Sequence, residues 1–340
     1  MNYKLLGKSG LRVAEIALGT MTFGTEWGWG ADYETSKSIF DAYANADGNF
    51  IDTANRYTEG TSEKMLADFI NTDRDHFVLA TKYSLFDRKG DPNFSGNHRK
   101  NMIRSVNESL KRLKTDFIDL LWVHAWDGTT PVDEMMRGLD DLVSSGKVQY
   151  IGISDTPAWV VAQANTMADL RGWSRFVGLQ VEYSLIQRTP ERDLLPMAKS
   201  LDLAVTPWAP LAGGALSGKY LKGEKGRVPD NSLRINERSQ KIAQAVVNVA
   251  EEMGVTPAQV ALNWCRQKNQ VVIPIVGARS LTQIEDSLGC VNFKLSTEQI
   301  IKLDEVSKFD LGFPHDFLAS DNVKNILSGD TWEKLENHRA

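Results

Sequence analysis

Eight short apolar runs, each followed by an amphipathic or polar stretch, predict an α/β fold. In it eight strands close into a (β/α)8 TIM barrel with an N-terminal β-hairpin and a C-terminal helical extension. The runs are IALG (16–19), FID (50–52), FVLATK (77–82), FIDLLWVH (117–124), VQYIGIS (148–154), VGLQVE (177–182), LAVTPW (203–208) and VVIPIVG (271–277). They lack the polar–apolar alternation of a half-exposed sheet, so crossover helices should cover both faces of a parallel one. No G-x-G-x-x-G follows the first run, which disfavours a doubly wound open sheet.

In chain order, residues 2–14 read as a hairpin turned at Ser9-Gly10, residues 15–290 as the barrel, and 291–340 as the extension, all in one domain of 340 residues. Helical patterns occupy 64–70, 102–113, 132–144, 158–170, 192–201 and 240–253. In the last, Ile242, Val246, Val249 and Ala250 share one helix face. Ser296 caps a further helix over 296–308, with Glu298 close behind, and the tail around LGFPHDF is expected over one mouth of the barrel.

Apolar content of 42% and charged content of 24% are those of a soluble globular protein. No apolar run approaches the roughly 18 residues of a membrane span. A net charge of −5 without a basic block argues against nucleic acid as a partner. The opening segment lacks an apolar signal, and two cysteines outside any CxxC pair, Cys265 and Cys290, fit a reducing compartment, so a cytoplasmic location is expected. Of five histidines only His124 ends a strand; His76, His98, His315 and His338 lie elsewhere, and no metal centre is expected.

The predicted strands end on Gly19, Asp52, Lys82, His124, Ser154, Gln180, Trp208 and Gly277. C-terminal strand ends converge at one mouth of such a barrel, and Tyr57 follows Asp52 by five residues. Alone, each of these has an ordinary role: a cap, an ion pair, a core imidazole, a packed ring. Together they put a buried ion pair beside a histidine and a phenol, which is costly unless used. A lysine ammonium lowers a neighbouring phenol's pKa by about 1–3 units. Asp52 would orient Lys82, and His124 would hydrogen-bond the oxygen that Tyr57 protonates. Such a set gives a proton to a carbonyl oxygen while another group supplies a nucleophile to its carbon.

The motifs FIDTANRYTEG, ATK, LLWVHAWD, VQYIGISD, GLQVEYSL, VTPWAPLAGGALSGKY and IPIVGARSLTQIEDSLG resemble the aldo-keto reductases from about residue 3 to residue 308. The chain looks most like the branch holding aryl-alcohol dehydrogenase-like and potassium-channel β-subunit-like proteins. The resemblance implies reduction of an aldehyde or ketone, a small-molecule substrate, with NAD(P)H as hydride donor and Asp52, Tyr57, Lys82 and His124 as catalytic tetrad. It places the cofactor along Gly19, Thr20, Met21 and Asp52, with Ser154 and Gln180 on the carboxamide and Trp208 stacked on the nicotinamide. Ala209, Leu211, Gly213, Gly218 and Lys219 would follow the pyrophosphate; Gly277, Arg279, Gln283 and Asp286 would hold the adenosine half. Arg279 on a 2′-phosphate would favour NADP(H) over NAD(H). Many relatives carry lysine-serine where Gly277-Ala278 stand and arginine where Gln283 stands.

GGALSGKY nearly matches a Walker A motif, but Tyr220 replaces the magnesium-binding hydroxyl, so triphosphate hydrolysis is rejected. Phe23, Trp27, Trp29, Phe86 and Trp126 would wall a substrate pocket over Tyr57 suited to flat aryl carbonyls, with the tail near Phe313 beside them. The channel-subunit likeness leaves open a regulatory subunit that retains its cofactor as a redox sensor. A glycosidase would need a carboxylate opposite Glu182, and a Schiff-base aldolase would use Lys82 without Tyr57 or Trp208.

Overall fold

A computed structural model describes residues 1–224, 226, 232–268 and 271–336. His338 and the end of the extension lie outside them. The hairpin pairs β1 (Tyr3–Leu5) with β2 (Arg12–Ala14). Eight parallel strands follow: β3 (Ala17–Gly19), β4 (Phe50–Asp52), β5 (Val78–Tyr83), β6 (Ile118–Val123), β7 (Val148–Ser154), β8 (Phe176–Glu182), β9 (Ala204–Trp208) and β10 (Ile275–Gly277). Their order is β10-β3-β4-β5-β6-β7-β8-β9. The ring is closed by a bridge between Val205 and Val272, where Val205 N–H donates to Val271 and Ile273 N–H to Val205, each at 2.8 Å. The last strand is shorter than the apolar run predicted because Pro274 has no N–H to give the ladder. The sixth ends at Glu182, as the run 177–182 predicts, two residues beyond the inward-facing Gln180.

Helices α1 (Tyr33–Asn45), α2 (Thr61–Phe69), α3 (Arg99–Leu113), α4 (Val132–Ser144), α5 (Ala158–Arg171) and α6 (Leu194–Ser200) connect successive barrel strands. Between β9 and β10 lie α7 (Glu237–Met253) and α8 (Pro257–Arg266); α9 (Leu281–Leu288) and α10 (Thr297–Val306) follow β10. Ser296 caps α10 as its sequence predicts, but the reciprocal partner is Gln299. No helix among the described residues is long and apolar enough to cross a membrane.

Alternation along each strand sends every second residue into the barrel. Ala17, Phe50, Ala80, Leu120, Trp122, Ala204 and Ile275 fill the interior, and Leu6, Val13 and Ala14 of the hairpin join the same cluster. Trp122 needs glycines as neighbours: a Cβ on Gly152 would lie 2.3 Å from its ring, and one on Gly178 2.7 Å. The indole thus packs the barrel axis as a floor. Above it, the same parity points Asp52, Lys82, Ser154 and Gln180 into the C-terminal mouth.

The tail carries α11 (His315–Ala319) and α12 (Asp321–Ser328). Its Phe313 is 84% exposed and meets Phe317 at 6.0 Å between ring centroids.

Candidate active site

β4 ends in Asp52, and the chain then turns back sharply. Thr58 (φ 46°), Glu59 (φ 56°) and Gly60 (φ 87°) are successive left-handed residues, two of them non-glycine and so strained. Thr58 is held there because its Oγ1 donates to Phe23 O at 2.6 Å and accepts from Ser62 N at 3.2 Å. That turn returns the Tyr57 hydroxyl over the strand ends.

β5 delivers Lys82, 0% exposed, beside Asp52, 2% exposed. The ammonium spends its three protons on Asp52 Oδ2 (2.5 Å), Thr53 O (2.8 Å) and Tyr57 Oη (3.1 Å). The second carboxylate oxygen of Asp52 accepts from Gln180 Nε2 at 2.9 Å, so strands β4, β5 and β8 are tied across the mouth. His124, just past β6, stands edge-on to Tyr57 with ring centroids 5.9 Å apart and planes at 82°.

Charge is distributed unevenly here. Burial pushes the Lys82 pKa down, but Asp52 and Tyr57 outweigh it and hold the ammonium above its usual value. For Tyr57 burial dominates and raises the phenol above 10, although Lys82 pulls it down and Asp52 and Asp155 push it up. This corrects the sequence expectation of a depressed phenol: a lysine alone lowers it, but desolvation of the phenolate is larger. Burial, helped by Lys82, holds His124 well below 6.5, a neutral imidazole at physiological pH. Its Nδ1 and the Ser154 hydroxyl are buried without a hydrogen-bond partner. Such orphans cost about 1–3 kcal/mol unless a bound molecule completes them.

At the other side of the mouth, Trp208 Nε1 donates to Asp155 Oδ1 at 3.0 Å. Beyond it the chain runs through left-handed Ala209, Ala212, Gly213, Gly214 and Gly218. Lys219 folds back so closely that a Cβ on Gly214 would meet its Nζ at 3.0 Å. Burial and the field of Arg279 lower the Lys219 pKa, while Glu224 opposes them. A cation after β9 and one after β10 therefore lie within each other's field. Gly19 packs against Ile275, where a Cβ would lie 2.6 Å from its side chain. Thr20 donates to Asp52 O at 3.1 Å, and Met21 follows at the rim of β3. Gln283 Oε1 accepts from Arg279 N at 2.9 Å, closing the loop after Gly277. Asp286 is engaged by Thr256 Oγ1 (2.8 Å) and Gln259 Nε2 (3.0 Å) at the start of α8.

The aromatic residues divide. The Trp27 and Trp29 rings meet at 5.7 Å between centroids, tilted by 42°, and the Arg56 guanidinium lies 5.9 Å from the Trp27 ring and 4.5 Å from Phe86, itself 43% exposed. Trp126 is half-buried, and its backbone N–H donates to Asp155 O at 3.4 Å. Phe23 is apart from this group: it is 0% exposed and packs edge-on against Phe69 in the layer between sheet and helices. Phe313 meets Phe317 instead. A cleft of about 340 Å³ opens beside Phe86, Arg88, Pro92 and Ser95, and one of about 300 Å³ beside Asp155, Glu182 and Gln187. Sequence reasoning passed over Arg56 and Asp155, though both stand in quoted motifs directly beside Tyr57 and Ser154. Among the described residues no group of three or more His, Cys, Asp or Glu is placed to hold a metal ion.

Residues 15–308, which span all eight barrel strands and α10, match the model of the aldo/keto reductase family. The chain belongs to that family. It is 39% identical to the NADP(+) aryl-alcohol dehydrogenase of Phanerodontia chrysosporium, over 94% of this chain and 89% of that protein. A norsolorinic acid reductase of Emericella nidulans is 40% identical over 91% of this chain and 82% of its own length. A putative aryl-alcohol dehydrogenase of Saccharomyces cerevisiae is 34% identical over 94% and 90%. The aldo-keto reductase described here is accordingly an oxidoreductase, in a family that uses nicotinamide cofactors.

Proposed function

We propose that this enzyme reduces an aldehyde or ketone, aryl carbonyls among them, to the alcohol, using NADPH in preference to NADH, with Tyr57 as proton donor. The observation that carries this is the 3.1 Å hydrogen bond from Lys82 to the Tyr57 hydroxyl inside a buried cluster closed by Asp52. The phenol is protonated at neutral pH and can give its proton to a substrate oxygen. The phenolate left behind lies against an ammonium that is already in place and needs no reorganisation. The neutral His124 stands beside the same hydroxyl, where it can donate a hydrogen bond to that oxygen without competing as an acid.

The mouth fits a nicotinamide dinucleotide. The orphaned Ser154 hydroxyl and the Gln180 amide suit the carboxamide, and Trp208 offers a half-buried aromatic face. The left-handed glycines after β9 bring backbone close to a ligand, and Lys219 with Arg279 supplies charge for phosphates. Gly19, Thr20, Met21, Ala209, Leu211, Gly213, Gly218, Gly277, Gln283 and Asp286 complete the proposed binding path. The bound cofactor supplies the hydride. Preference for NADPH rests on Arg279, whose planar fork matches a 2′-phosphate, and is supported by the NADP(+) of the fungal relative's name. Trp27, Arg56, Phe86 and Trp126 form the proposed aryl wall.

A screen of NADPH and NADH oxidation against aromatic, aliphatic and sugar carbonyls tests this. Turnover of aryl aldehydes with NADPH is expected. Tight cofactor retention without turnover of any carbonyl would overturn it in favour of a sensor.

A further inference from the structure

Asp155 follows Ser154 directly and acts on Tyr57 only through its charge, as the smallest of the influences on the phenol named above. Its backbone is left-handed, with φ 41°, a conformation that aspartate and asparagine tolerate better than other side-chain-bearing residues. The segment is pinned on both sides: Asp155 N–H donates to Gln180 O at 3.3 Å, and Asp155 O accepts from Trp126 N at 3.4 Å. So fixed, the carboxylate meets the indole N–H of Trp208 at 3.0 Å, from β7 to β9 across the intervening strand β8. Trp208 is partly packed against the barrel-interior cluster, and that packing leaves part of its ring uncovered. It is half-buried, ends its strand, and is followed by left-handed Ala209. Arg234 lies 5.9 Å from its ring and is itself tied to Glu182 at 2.6 Å, the residue in register with Trp208 on β8.

We propose that Asp155 is a positioning residue, whose carboxylate clamps the Trp208 indole in the orientation that receives one face of a nicotinamide. This rests on the cofactor reading above for its consequence, but the clamp itself can be measured without a cofactor. A hydrogen bond to a charged acceptor is among the stronger ones, so it can fix the orientation of a ring that packing covers only in part. A ring already fixed needs no ordering when a ligand stacks on it, so the clamp should appear in affinity.

The test removes the side chain without straining the backbone. Asp155→Gly keeps the left-handed conformation accessible, and Asp155→Asn keeps an acceptor oxygen. In protein labelled with ¹⁵N-indole tryptophan, the Trp208 signal is the one missing from Trp208→Phe. In Asp155→Gly that signal should move, and its hydrogen exchange should quicken about tenfold or more, whereas Asp155→Asn should keep most of the protection. NADPH affinity should weaken about tenfold in Asp155→Gly but no more than about twofold further when the substitution is made in the Trp208→Phe background. An indole signal unmoved in Asp155→Gly would overturn the clamp. So would the same loss of NADPH affinity in both backgrounds. Wild-type enzyme that binds no NADPH would instead sink the proposed function, and the indole measurement would still decide the clamp.

Discussion

Replacing Lys82 by methionine removes a buried ammonium while keeping an apolar stem of similar length. Nζ stands 3.1 Å from the Tyr57 hydroxyl and 2.5 Å from Asp52. At that separation an ammonium and a forming phenolate attract by about 5 kcal/mol at an effective dielectric of about 20. If most of this is realised in the transition state, kcat falls by about 10³–10⁴-fold. Asp52 stays behind and repels the phenolate, so the loss lies toward the upper end. The same substitution leaves the Asp52 carboxylate buried without its cation, which costs about 3–5 kcal/mol of stability. Steady-state turnover at saturating NADPH, read beside thermal melting, separates the two effects when Asp52→Asn is added to Lys82→Met. The asparagine oxygen can still accept from Gln180, and no buried charge is left unpaired. The melting temperature should recover most of its loss and kcat should not. A single variant within tenfold of wild-type kcat, or a double variant that regains turnover together with stability, would refute the electrostatic role.

Three further outcomes follow from the geometry. Because burial raises Tyr57 above 10 and holds His124 well below 6.5, kcat/KM for reduction should show no Tyr57 or His124 limb between those values. The sign is that reduction needs the protonated phenol and declines only as pH rises through its elevated pKa; a limb at pH 7–9 that vanishes in Lys82→Met would contradict this. Arg279→Ala should raise the Kd for NADPH about tenfold or more while changing that for NADH by less than about threefold; fluorescence titration checks it, and equal losses would remove the 2′-phosphate assignment. Phe86→Ala, which strips the 43% exposed ring from Arg56, should lower kcat/KM for benzaldehyde about fivefold more than for butanal, and parallel losses would take Phe86 out of the proposed wall.

The barrel was legible because its strands are apolar without alternation and end on polar residues in a fixed parity. Phe50–Asp52, Ala80–Lys82 and Trp122–His124 each read inward two residues apart. Strand limits were less so. Pro274 breaks a ladder that an apolar run alone would continue, and the sixth strand carries its inward-facing polar residue, Gln180, two positions before its end at Glu182. Helix α1 escaped notice because its buried Ile39, Phe40 and Tyr43 are a thin stripe in a polar segment, secured by Asp32 as cap. Phe23 carries the same side chain as a pocket aromatic, and only its Phe69 neighbour places it in the packing layer. The direction of the Tyr57 shift was misread for a related reason. Sequence shows which charges are near one another, whereas the larger effect here is the water that burial removes. Asp155 stands in plain view after Ser154, yet its meaning depends on an indole 53 residues away.

The most direct measurement is turnover and NADPH binding in Tyr57→Phe. With the ring kept and the acidic proton gone, the Kd for NADPH should stay within about threefold while kcat for an aryl aldehyde falls by about 10²–10⁴-fold. A variant that turns over at the wild-type rate would show that the proton comes from elsewhere.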